Sequence, residues 1–145
     1  MSASKATTLD NAARTAHLWL REVAHGFPTE DEQFAYRALR AWLHAVRDQL
    51  TPQAAVHFGA QLPDLLRGVF YEGWNIDHVP HRLDAAGFVA SFAQHAGVSA
   101  QDVPRTAAVV SAGLAARMSP GQVDKALGHL PHDVRDLLRP RETAR

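Results

Sequence analysis

Tyr71-Glu72-Gly73-Trp74 is the stretch of this chain best equipped for recognition chemistry. Two aromatics around a helix-ending glycine present an indole face and a phenol beside a carboxylate. Such groups are enriched at the energetic centres of protein interfaces. The same residues suit a structural role, with Tyr71 and Trp74 covering the core and Glu72 bonded to a nearby N–H or arginine. Arg67 and Arg135 stand 68 positions apart. A guanidinium on a short, partly buried helix ties down orphan carbonyls or a carboxylate through its planar fork. The rival reading joins both arginines in one anion site. Asp77, His78 and His81, followed by Asp84, gather two imidazoles and two carboxylates in a short stretch. Zinc accepts such ligands, but an HxxH interrupted by Pro80 in a loop offers no fixed spacing, which disfavours a metal site.

The other histidines, His17, His25, His44, His57 and His95 among them, are scattered over different helices and read as polar-face or hydrogen-bonded core-edge residues. His129 and His132 flank Leu130-Pro131 and read as exposed, interchangeable positions. Arg40 and Arg47 fall opposite the apolar stripe of their helix, as on a solvated surface. No aromatic is interleaved with them for base stacking, and Lys+Arg and Asp+Glu balance at 15 each. That argues against a nucleic-acid partner. No GxSxG, Gly-rich phosphate loop, HExxH or EF-hand loop is present. Ser91 and His95 share a helix face without an orienting acid. No catalytic residue is assigned and no cofactor is expected.

Composition sets the outer bounds. At 145 residues, with 46% hydrophobic and 21% charged, the chain suits one folded domain with a proper core. The absence of cysteine excludes disulfides, thiolate metal sites and a Cys nucleophile. The N-terminal stretch lacks an apolar signal-peptide region, and the longest run without charge, from Ala85 to Gln101, falls short of a membrane span. A cytoplasmic location and no membrane partner are the expectations.

The elements that must position these residues are helices. Leu9, Ala12, Ala16, Trp19, Leu20 and Val23 form one stripe ending at Gly26. Thr29-Glu30-Asp31-Glu32 has the form of a capping box for a second helix carrying Phe34, Ala38, Trp42 and Val46. Thr51-Pro52 reads as cap and first-turn proline of a short helix, and Pro63 opens another that stops near Gly73. The pattern then returns. Leu50-Thr51-Pro52 recurs as Met118-Ser119-Pro120, and Leu62-Pro63 as Leu130-Pro131. Self-similarity of this kind marks a repeated supersecondary unit. The expected fold is all-α, one bundle of about eight helices from two tandem four-helix units related by a pseudo-two-fold. The first unit spans 8–74, a linker 75–81, the second unit 82–140, and a frayed tail 141–145. Ser99 or Asp102 caps the second long helix of the second unit, and Gly97 takes the place of Gly26.

The run Leu62-Pro63-Asp64-Leu65-Leu66-Arg67-Gly68-Val69-Phe70-Tyr71-Glu72-Gly73-Trp74, preceded by Leu50-Thr51-Pro52, resembles the LP-x-x-LRG-x-x-YEGW signature of the bacterial domain of unknown function 2267. The resemblance covers nearly the whole chain, including a weaker second Leu-Pro-x-x-x-Arg element. It implies an all-helical, cytosolic bacterial protein and no particular chemistry. Gly87 and Gly113, inside expected helices, and the His-rich linker depart from it. The functional expectation is a non-enzymatic module that binds a protein or a second copy of itself through Tyr71, Glu72, Trp74 and the linker. The alternative is a small-ligand or metal-binding bundle, with Glu72, Asp77, His78, His81, Arg67 and Arg135 converging in the cleft between units.

Overall fold

A computed structural model describes residues 7–139; Pro140 and the tail 141–145 lie outside the described residues. Eight α-helices and two 3₁₀ turns, with no strand, make up the described residues. Helix α1 (Thr8–Ala24) starts in a reciprocal capping box. The Asp10 N–H donates to Thr7 Oγ1 at 3.0 Å, and the Thr7 N–H donates to Asp10 Oδ2 at 3.2 Å. Those bonds hold the Asp10 carboxyl below the ordinary carboxylate range.

Helix α2 (Glu32–Gln49) is capped by Asp31, not Thr29. The Asp31 carboxylate accepts the Gln33 N–H at 2.9 Å, while Thr29 Oγ1 accepts the N–H of Asp31 itself. The expected box at Thr29 therefore does not form. A carboxylate at the positive end of a helix is the stronger acceptor, and Thr29 instead orients it. Thr51 caps α3 (Pro52–Gly59) through the Ala54 N–H, with Pro52 in the first turn. Pro63 precedes α4 (Asp64–Tyr71), and Gly73 turns the chain away at φ 72°.

The linker holds a 3₁₀ turn, Ile76–His78, and is fastened to α2. The His81 N–H donates to the Asp48 carbonyl at 2.6 Å, and the Leu83 N–H to Oε1 of buried Gln49. Asp84 caps α5 (Ala85–Ala96), which Gly97 ends in the left-handed region. A second 3₁₀ turn, Ala100–Asp102, leads into α6 (Val103–Arg117) with Pro104 in its first turn. Asp102 stands at the N-cap of α6 without a side-chain capping bond, its carboxylate accepting the Ser99 hydroxyl at 3.0 Å. Helices α7 (Gln122–Leu127) and α8 (His132–Leu138) complete the chain. Ser119 does not cap α7, whose N-cap is Gly121.

Packing is reciprocal between the two halves. Helix α1 lies on α6 and α5 on α2; α4 rests on α1 and α2, and α8 on α5 and α6. Helices α2 and α6 also touch each other, as do α3 and α7. Exchanging the first four helices for the last four maps these pairs onto one another. One apolar core draws on both halves, from Val23 and Trp42 to Phe88 and Leu138. Gly113 sets the approach of α6 to α1, because a Cβ there would stand 2.9 Å from Val23 Cα. The Trp42 indole N–H donates across the halves to Ser111 Oγ at 2.9 Å. No helix among the described residues is long and apolar enough to cross a membrane.

Candidate functional site

The C-terminal end of α4, which carries Tyr71-Glu72-Gly73-Trp74, is gripped by three basic side chains on successive turns of α2. Helix ends leave carbonyls without intrahelical partners. Here His44 Nε2 donates to the Val69 carbonyl at 2.7 Å. Arg47 Nη1 donates to the carbonyls of Phe70 at 2.9 Å and Glu72 at 2.6 Å, and its Nε to Asp48 Oδ1 at 2.8 Å. Arg40 Nε and Nη2 meet Glu72 Oε1 at 3.2 and 3.1 Å. Arg47 is 4% exposed, so the solvated-face reading fails for it. Helix α2 is covered by α1, α4, α5 and α6, which leaves little of it to solvent. Burial, reinforced by the charges of Arg47 and Arg40, lowers the His44 pKa against the opposing pull of its bond to Val69.

The second half has no such grip. Ala108, Ala112 and Ala115 stand where Arg40, His44 and Arg47 stand in the first. The equivalent carbonyl of α8, that of Leu138, accepts instead from the buried Ser111 hydroxyl. Tyr71-Glu72-Gly73-Trp74 and its clamp therefore go together, present in one half and absent from the other.

The aromatics of the tetrapeptide end a ladder that begins in the core. Trp42, Phe58, Phe70, Tyr71 and Trp74 follow one another with ring centroids 5.1 to 5.9 Å apart. Tyr71 and Trp74 are half-buried against the core, and Glu72 remains exposed. The Tyr71 hydroxyl rests on Gly59, where no Cβ would fit. The Trp74 indole nitrogen is buried without a partner.

Arg67 and Arg135 do different work. Arg67 Nε donates to the Gly59 carbonyl at 3.0 Å and its Nη2 to that of Leu62 at 2.7 Å, closing the turn between α3 and α4. Asp64 stands 3.6 Å from the same guanidinium. The buried Nε of Arg135 has no partner. Asp77, His78 and His81 are exposed, and among the described residues no three His, Asp or Glu side chains are grouped to hold a metal ion. His95 Nδ1 bonds the Ser91 backbone carbonyl, not its hydroxyl.

The family described as an uncharacterized conserved protein (DUF2267) matches residues 16–137. The chain belongs to the DUF2267 family. No curated protein matches it. The match runs from α1 into α8, so it contains both the clamp and the half that lacks it.

Two grooves of this DUF2267 chain have linings that sequence reasoning missed. One, about 360 Å³, lies between α1, α2 and α4 and is lined by apolar groups, among them Ala16, Leu20, Leu66 and Val69. Leu65, 46% exposed, and Tyr36, 37% exposed, also line it. No local pattern tells which part of an apolar helix stripe remains uncovered. The other, about 260 Å³, lies between α3 and α7, where the two halves meet. None of Glu72, Asp77, His78, His81, Arg67 or Arg135 lines it.

Proposed function

We propose that this chain is a non-enzymatic protein-interaction module of the bacterial cytoplasm, with the groove between α1, α2 and α4 as its docking face. The observation that carries the reading is an apolar channel left open with Leu65 and Tyr36 exposed along it. An amphipathic helix of a partner would place its apolar face along α4 against Leu65 and Val69. Glu72 stands at the C-cap of α4, three residues after Val69, and pairs with Arg40 at 3.1 Å. In this reading Tyr71 and Trp74 wedge α4 in place, and the α2 clamp fixes the wall that the partner meets.

Leu65→Glu separates binding from folding, because an exposed side chain contributes little to the core. Affinity capture with that variant should lose a partner that wild type retains, with an unchanged melting temperature. Trp74→Ala, at a residue packed on Tyr71 and the core and outside the groove, should lower the melting temperature. A partner retained by Leu65→Glu would reject this docking face.

A further inference from the structure

We propose that the groove between α3 and α7 is a binding site for a small organic anion, a phosphate or carboxylate carried on an apolar body. Lys125 and His57, separated by the 68 residues of the internal repeat, meet here, with the ammonium 3.3 Å from His57 Nε2. An ammonium only donates, so in this contact His57 Nε2 is the acceptor. His129 joins them from beyond the end of α7. No carboxylate lines the groove, and among the described residues Lys125 has no acidic partner. Three nitrogen bases thus line one groove, and no carboxylate is among its lining residues.

The floor differs in character from this rim. Phe58 and Ala126 contribute apolar lining, and Gln53 of α3 and Gln122 of α7 also line the groove. A ligand that fits has its anionic group against Lys125 and its apolar part on Phe58. An opening of about 260 Å³ accommodates a molecule the size of a substituted benzene ring with its charged group. This site is independent of the helix-docking face, since the two grooves share no residue.

The test is a nuclear magnetic resonance titration of the whole chain at fixed pH and constant ionic strength, with phenyl phosphate, benzoate and inorganic phosphate as separate probes. Saturable shifts at His57, Lys125 and Ala126 are expected with phenyl phosphate or benzoate, and whichever binds more tightly identifies the anionic group. Inorganic phosphate, lacking the apolar body, should bind at least about tenfold more weakly. Lys125→Met, at an exposed position, should weaken the organic probe at least about tenfold, with resonances outside the groove unmoved. Linear, unsaturated shifts for both organic probes up to about 10 mM would overturn the proposal. So would equal affinities in wild type and Lys125→Met.

Discussion

Arg47 shows how a side chain's role is set by what covers its helix. Its position opposite the Phe34–Trp42–Val46 stripe was legible; its burial was not, because the covering helix α4 arrives from later in the chain. The guanidinium satisfies the Phe70 and Glu72 carbonyls, so Arg47→Met would strand both. Loss of about 3 kcal/mol is expected in urea unfolding. Arg40→Ala, which breaks a solvent-screened pair, should cost under about 1 kcal/mol. His44 extends the same clamp into a pH dependence. Its folded pKa lies below the ordinary 6.5, so between the two values the unfolded chain binds more protons. Stability should therefore be full above about pH 6.5 and fall as the pH drops toward the folded value. A series of urea unfolding curves from pH 8 to pH 5 checks this, and His44→Gln should flatten the slope. An unaltered slope in that variant would assign the effect to other groups. At the tetrapeptide itself, the sequence named the aromatics and the carboxylate, whereas their anchors Arg40, His44 and Arg47 lay too far along the chain to associate with it.

Helix boundaries followed local chemistry where one residue dominates the cap, as at Thr51-Pro52 and Gly97. They shifted where two candidates compete, as at Thr29 and Asp31, or where the second copy of the repeat drifts, as at Ser119. The glycines inside helices show the same division between local and long-range causes. Gly113 was visible as a glycine inside an expected helix, but its reason is the backbone of α1 at Val23. Gly113→Ala should lower stability by roughly 1–3 kcal/mol, because α1 and α6 must separate. Gly68, within α4, has open space where a Cβ would stand. Gly68→Ala should raise stability by about 0.5–1 kcal/mol through helix propensity alone. Thermal unfolding of the two variants beside wild type gives opposite signs if helix spacing is the cause. A loss in both would show that α4 needs Gly68 for another reason.

At the scale of the whole molecule, the internal repeat made the all-helical, eight-helix architecture legible, because each unit restates the same order of long and short helices. The uncovered surfaces were not legible, since a groove is what remains after helices distant in sequence have packed. Both halves contribute to one core, and α1 covers α6 while α5 covers α2. Residues 8–74 expressed alone should therefore lack a cooperative unfolding transition, and adding 82–139 should restore it. The docking face is the central claim for function. It is tested most directly by placing a photo-crosslinking amino acid at position 65 in the native host, with position 56 as the control. Val56, on α3, is also exposed, at 52%, but lies outside the α1/α2/α4 groove. The account predicts a discrete protein adduct from position 65 and none from position 56. Equal labelling from both positions, or no protein adduct from position 65, would contradict it.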